Sequence, residues 1–265
     1  MRSAVRAGGR LLNHFLSRAG FKVVRLPALQ RPINDQRISG RFVECIGPSG
    51  IGKTTAIKAF RSMSKYQWSY DYSEPKTVLA DKGLLSHDVN LIYKKLLFNK
   101  IKFIISSNYS TQHIFGLVAF MSTRLQQDYT LMQSGYLSNG GVWWDDGIFH
   151  NFTNQIKDEL VESESIPEPF KGRTLINFTA PIPIIIERLR KRNDESQGAL
   201  NDWFGIDGAD SVGVRIANSL AAKEQLMSIW TDLGGQGFVV DLSSTEKAVE
   251  KLLTIEQELV RGRSR

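Results

Sequence analysis

The sequence predicts an α/β fold in which a parallel sheet of about five strands lies between two layers of helices. Three observations lead there. From Arg41 onward, short apolar runs alternate with longer segments of helical periodicity, the rhythm of strands joined by crossover helices. The first run ends in a glycine-rich loop that opens directly into a helical segment. The composition, 42% hydrophobic and 23% charged over 265 residues, suits one α/β domain with a full core.

Taken in order, Arg41 to Ile46 is the first strand and Gly47 to Gly52 its loop. A helix of about a dozen residues begins at Lys53 and carries Ala56, Ile57, Ala59 and Phe60. Tyr66 to Tyr72 reads as a second strand. Leu84 to Gly140 is mostly helical by composition, although Lys102 to Ser106 reads equally well as a strand, and periodicity alone leaves both open. Gly141 to Trp144 is a short apolar run closed by Asp145-Asp146-Gly147, with a helix from there to about Val161. Trp143 and Trp144 face opposite ways in an extended chain, so at least one belongs to the core.

Ile166-Pro167-Glu168-Pro169 breaks the chain before a strand at Thr174 to Thr179. Pro181 stands where the next helix starts, and that helix reaches Arg192. A polar, glycine-containing loop from Asn193 to Gly213 precedes a helix to about Leu233. The strand Gly237 to Asp241 and the helix Thr245 to Val260 complete a domain spanning 41–265, after a leader and linker at 1–40.

Charge separates the leader from the body. Residues 1–34 hold seven Arg or Lys and no acid, and the 34 basic residues less those seven leave 27, against 27 acidic. The net charge of +7 therefore belongs to the leader, and the balanced body gives no reason to expect nucleic acid as a partner. Leu11, Leu12, Phe15 and Leu16 recur at helical spacing within it. A solvated or self-docked helix, peripheral contact of residues 1–34 with an anionic membrane or an acidic partner, and an organellar transit segment all fit that pattern. The lone Cys45 excludes an intrachain disulfide, and four scattered His offer no zinc cluster. A reducing, cytoplasmic setting is the expectation, and no apolar run approaches the roughly 20 residues of a membrane-spanning helix.

The chemistry is concentrated in Gly47-Pro48-Ser49-Gly50-Ile51-Gly52-Lys53-Thr54, a complete G-x-x-x-x-G-K-[ST] loop continued by Thr55. Glycines permit positive φ and close backbone approach, so successive N–H groups curl around a phosphate at a helix N-terminus. Lys53 is placed to reach β- and γ-phosphates, and the Thr54 hydroxyl to ligate Mg²⁺. The loop sits between an apolar strand and a helix, the context it requires, and this makes the expected fold a three-layer P-loop NTPase with ATP and Mg²⁺ as cofactors.

Phosphoryl transfer also needs a carboxylate near the metal or the attacking group, at the end of a neighbouring strand. Asp145 directly follows Gly141 to Trp144 and is preferred over Asp146, as catalytic carboxylate and, with Thr54, as metal ligand. The competing reading is an ordinary Asp-Gly turn. Arg188-Leu189-Arg190-Lys191-Arg192 ends the helix before the polar loop. Arg188 and Arg192 are candidates to clamp the transferring phosphoryl group from a lid at about 193–213. Simple complementarity to the helix dipole is the alternative. Arg215 is a weaker candidate of the same kind.

Together these elements resemble the P-loop kinases of the nucleoside and nucleotide kinase group, including thymidylate kinase-like proteins, over about residues 41 to 262. The resemblance rests on the P-loop, on Asp145 where an acidic residue ends a strand, and on the R-x-x-x-R spacing of Arg188 and Arg192 before a lid. Ser73-Glu74-Pro75 is similar to the Arg-Glu-Pro segment near the acceptor of thymidylate kinases, with Ser in place of Arg, and Asp146 stands where those families carry Arg. Asp241-Leu242-Ser243-Ser244 is similar to the last-strand turn near the adenine. The resemblance implies an ATP-dependent phosphotransferase acting on a nucleoside, nucleotide or sugar-like acceptor. Its alternative is a P-loop ATPase or nucleotide-binding partner protein with no small-molecule acceptor. A GTPase switch fits poorly: Asn99-Lys100-Ile101-Lys102 lacks the base-reading Asp and precedes Asp202-Trp203-Phe204-Gly205, the reverse of the order required.

Overall fold

The computed structural model of the chain describes residues 41–66, 68–69, 87–107, 109–134, 141–195 and 208–261, all within one compact unit. The basic leader, Ser73-Glu74-Pro75 and residues 196–207 lie outside the described residues.

Five strands form one sheet: β1 (Phe42–Ile46), β2 (Trp68–Ser69), β3 (Gly141–Trp144), β4 (Arg173–Thr179) and β5 (Gln236–Asp241). The order across it is β2-β3-β1-β4-β5, and every neighbouring pair is parallel. β1 is therefore central, and all five of its residues are buried, as expected of a strand covered by helices on both faces. The glycine loop leaves its carboxyl end between β3 and β4, in the crevice where ligands of open parallel sheets are held.

The helices are α1 (Lys53–Met63), α2 (His87–Ile105), α3 (Thr111–Ser134), α4 (Ile148–Asn151), α5 (Thr153–Ser163), α6 (Ile182–Glu195), α7 (Gly208–Asp232) and α8 (Thr245–Arg261). Alternation along β1 sorts them into two layers. Val43 and Cys45 pack into a core built from Ala56, Ile57 and Phe60 of α1, Ile185 and Leu189 of α6, and Leu252, Ile255 and Leu259 of α8. Ile46, from the opposite face, joins Tyr93 and Leu96 of α2, Leu125 of α3, Phe149 of α4, Phe152, Ile156 of α5, and Trp230 of α7. Both tryptophans of β3 are core residues. Trp143 lies against Phe60 and Trp68 at centroid distances of 4.5 and 5.1 Å, while Trp144 stacks on Phe42 at 5.8 Å.

One open reading is decided and two expectations are revised. Residues 102–105 are the last turn of α2 and not a strand. Tyr93, Leu96 and Ile104 share one buried side of that helix, so the 3.6-residue period set by its first turns continues through the apolar run. The helix after Asp145-Asp146-Gly147 is broken at Phe152, whose φ of −116° and ψ of 28° leave helical geometry. The break lets Phe149 and Phe152 both reach full burial in one core. The limits expected for a polar loop at 193–213 fall inside helices, because α6 continues to Glu195 and α7 already begins at Gly208. No helix among the described residues is long and apolar enough to cross a membrane.

Candidate active site

The loop after β1 takes the backbone shape its glycines permit. Gly47, Gly50 and Gly52 have φ of 143°, 79° and 104°, values that residues with a Cβ rarely adopt. Space is as restrictive as torsion: a Cβ on Gly47 would lie 2.8 Å from the Phe178 carbonyl oxygen, and one on Gly50 2.4 Å from Leu189 side-chain carbons. The loop is thus clamped between β4 and α6. Gly52 caps α1 without a side-chain hydrogen bond, and no acid occupies the first turn, so the helix presents its N–H groups and positive dipole end to the crevice.

Lys53 lies along this loop, its ammonium donating to the carbonyls of Gly47 (2.9 Å) and Pro48 (3.3 Å). It is 9% exposed. Burial lowers its pKa to about 8, against the opposing charges of Asp146 and Asp145. The next residue makes the contact on which the site turns: the Thr54 hydroxyl donates to Asp145 Oδ2 at 3.0 Å across 91 residues of chain. Sheet register is the cause. Glu44 of β1 pairs with Trp144 of β3, so the residue after Trp144 emerges beside the loop that follows β1.

Asp146 faces elsewhere. It accepts from Arg124 Nη2 at 3.0 Å and from Asn151 Nδ2 at 3.2 Å, and His150 Nε2 lies 3.5 Å from its Oδ1. Asn151 also donates to the main-chain carbonyls of Asp146 (3.1 Å) and Gly147 (2.9 Å), which fixes the turn. Burial and the surrounding cations Lys53, Lys223, Lys100 and Arg124 hold the His150 pKa well below the ordinary histidine range. The imidazole is therefore neutral at physiological pH. Of the two carboxylates, Asp145 meets the P-loop and Asp146 organises the turn.

Behind the turn lies a buried polar network. Arg173 of β4, stacked 4.3 Å from the Phe42 ring, donates to Glu44 Oε2 (3.1 Å) and to both oxygens of Asp128 (2.8 and 2.6 Å). Tyr93 donates to Asp128 at 2.8 Å, and the Phe149 N–H donates to Glu44 Oε1. Glu44 also explains the glycine of Asp145-Asp146-Gly147: a Cβ on Gly147 would lie 2.2 Å from Glu44 Oε1. With one guanidinium shared between two fully buried carboxylates, burial pushes the Glu44 pKa up to about 8, against the pull of Arg173.

The arginines of α6 are placed differently from one another. Arg188 donates to the Ile51 carbonyl inside the P-loop and, at 2.9 Å, to the Leu242 carbonyl just beyond β5. Its guanidinium thus ties the loop to the turn Asp241-Leu242-Ser243-Ser244 and is not aimed at the crevice as a free clamp. Arg192, one helical turn further, is exposed and has no hydrogen-bond partner among the described residues. Ser49 and Thr55 are exposed at the loop and the head of α1, while Pro48 and Ile51 are buried.

Sequence reasoning gave no site role to Lys100, Arg124, His150 or Lys223, which come from α2, α3, α4 and α7. None stands in a motif. Only the tertiary packing of those helices brings their charges together.

A Mg²⁺ ion fits the donor set. It keeps several waters and takes one or two protein oxygens together with phosphate oxygens, and Thr54 Oγ1 with Asp145 Oδ2 supplies two at adjacent positions. No group of three or more His, Cys, Asp or Glu gathers among the described residues, so the donor set is not that of an all-protein cage.

The parallel three-layer architecture, the glycine loop after its central strand and the carboxylate beside the loop threonine define a P-loop NTPase fold. No protein-family model matches the sequence, and no curated protein matches it. Among solved structures the chain is similar to deoxyadenosine kinase from M. mycoides. With bound dCTP that structure shows 12% identity and a TM-score of 0.39. With the products dCMP and a flexible dCDP the values are 14% and 0.41, and with dATP 13% and 0.39. Each alignment covers 82% of this chain and 99% of the other.

Proposed function

We propose that the chain is an ATP-dependent phosphotransferase that moves the γ-phosphoryl group to a small-molecule acceptor of the nucleoside, nucleotide or sugar-like class. The observation that carries this reading is the Thr54–Asp145 contact at 3.0 Å. It joins the metal-binding position of a P-loop to a strand-end carboxylate in one crevice, as phosphoryl transfer requires.

In this reading the loop N–H groups and the start of α1 hold the donor phosphates. Lys53 exchanges its two loop carbonyls for β- and γ-phosphate oxygens and offsets charge as the β–γ bridge breaks. Thr54 and Asp145 hold Mg²⁺, which when bound neutralises charge on the same phosphates. On a hydroxyl acceptor Asp145 also serves as general base: the acceptor oxygen bonds to the γ-phosphorus, its proton passes to the carboxylate, and ADP leaves. Arg188 braces the loop, and Arg192 is left as the lid-side cation. The thymidylate kinase-like detail rests on the sequence pattern around Glu74 and on Arg188 and Arg192.

The test is ATP turnover measured against a panel of nucleosides, nucleoside monophosphates and sugars, beside hydrolysis without acceptor. A phosphorylated product whose formation stops in Lys53→Ala is the expected result. Hydrolysis that no acceptor alters would replace the kinase reading with an ATPase.

A further inference from the structure

A second group of cations stands next to the P-loop lysine. Lys223 of α7 is only 6% exposed, and its one hydrogen bond among the described residues is to Ser219 Oγ on its own helix, at 3.0 Å. Lys100 of α2 is half-buried and donates to the Asn151 carbonyl at 2.7 Å, with the rings of Phe152 and Phe103 at 5.7 and 5.9 Å. Neither ammonium has a carboxylate partner among the described residues.

Two other cations of the region are paired. Arg124 is matched by Asp146, and Lys95, on the same helix as Lys100, is matched by both Glu159 and Glu162. The charges of Lys53 and Lys100 act on Lys223, and all three act on His150. His150 Nδ1 is also buried without a hydrogen bond among the described residues. Burying an uncompensated ammonium is unfavourable, and crowding three of them adds repulsion. Burial accordingly draws the pKa of Lys100 and of Lys223 down to about 8. A fold that keeps such charges beside its P-loop lysine gains from an anion bound among them.

Position separates this anion from the donor. The donor phosphates belong to the loop and α1, which packs on one face of the sheet. Lys100 is held by Asn151, the residue that also fixes the Asp146 turn, against Phe152 of the opposite core. Lys223 lies on α7 between Leu220, which packs against the first core, and Leu226, which belongs to the second.

We infer that Lys100 and Lys223 form the binding site for a phosphate group of the acceptor, which is therefore a phosphomonoester such as a nucleoside monophosphate or sugar phosphate. The inference rests on the kinase reading of the P-loop and narrows its acceptor. It also assigns a part to Asp145. A phosphomonoester is largely doubly ionised at neutral pH, so its oxygen attacks without giving up a proton. A new P–O–P bridge forms, the β–γ bridge of ATP breaks, and ADP leaves with that electron pair. Asp145 then acts with Thr54 at the metal and not as a base.

The test fills the donor site first. Full-length protein saturated with Mg²⁺ and the non-hydrolysable AMP-PNP is titrated calorimetrically with inorganic phosphate. Uptake of one further phosphate is expected, weakened at least tenfold by Lys223→Met and by Lys100→Met and largely restored in Lys223→Arg. Without ligand each Met variant should melt no lower than the parent, and the rise in melting temperature that phosphate gives the parent should vanish. Lys223→Gln and Lys100→Gln replace any Met variant that fails to fold. No uptake by the AMP-PNP-filled protein, or unchanged uptake in both variants, overturns the site. Failure of AMP-PNP itself to bind strikes the donor reading instead; phosphate titration of the nucleotide-free variants then tests the lysines alone. Displacement of bound phosphate by a nucleoside 5′-monophosphate and by a hexose phosphate distinguishes the two organic classes.

Discussion

The donor and acceptor sides of the crevice are built on different principles. On the donor side, the groups proposed to hold phosphate fall within Gly47 to Thr55, and most are main-chain N–H groups whose direction follows from three positive-φ glycines. On the proposed acceptor side Lys100, Arg124, His150 and Lys223 arrive on four separate helices, and they are side chains throughout. A local device survives changes elsewhere in the fold, whereas a dispersed one depends on how every helix packs. Mutations should therefore divide by side: donor changes should act on nucleotide affinity and turnover together, and acceptor changes on the second ligand alone.

The largest effect is expected at Lys53. Lys53→Ala should lower turnover by roughly 10³-fold and weaken ATP more than adenosine, since only the triphosphate meets the ammonium. Calorimetric titration with both ligands, beside steady-state rates, tests it. Equal loss for ATP and adenosine would mean that the lysine supports the loop and not the phosphates.

Next come the two carboxylates of the turn. Asp145→Asn should cost roughly 10²-fold in turnover with a near-normal melting temperature, because its contact is with Thr54. Asp146→Asn should do the reverse and melt several degrees lower at modest cost in turnover, because Asp146 holds Arg124 and Asn151. The opposite assignment of the two phenotypes would place the catalytic carboxylate at Asp146.

The arginines of α6 sharpen the boundary of the donor side. Arg188→Ala should weaken ATP by about tenfold through a loosened loop, since it frees the Ile51 and Leu242 carbonyls. Arg192→Ala should leave ADP affinity near normal and reduce only the rate. Identical behaviour of the two variants would show that neither the brace nor the lid is separable.

The smallest effect is a pH dependence of stability. The folded pKa of Glu44, near 8, lies above its ordinary value of 4.5, so the folded state binds a proton more tightly than the unfolded chain. That contribution is complete below pH 4.5 and is lost as pH rises through 8. Glu44→Gln keeps the shape without the titration, and its melting temperature should fall less between pH 6 and pH 9 than that of the parent. Parallel curves would show that Glu44 is ionised throughout.

Much of the molecule was legible before folding because its signals are local. Parallel strands buried on both faces read as apolar runs, and β1, β3, β4 and β5 appear within a residue or two of their expected limits. Asp145 was legible because the end of a strand beside the P-loop strand is a position in the sequence pattern. The limits of the polar loop after α6 were not: a polar, glycine-containing stretch reads as loop, yet α7 begins at Gly208, and Val212 and Ile216, buried in the core, hold its first turns.

By itself, then, the sequence determined the sheet, the phosphate loop and the carboxylate at its side, since each depends on residues within about ten positions of one another or on strand order. Only tertiary structure decided that Arg188 serves two carbonyls, that Asp146 serves the turn, and that Lys100 and Lys223 stand together without a carboxylate partner among the described residues. The reason is geometric: a charge's partner is whatever the packing of other helices brings within a few ångströms, and no spacing along the chain encodes that distance.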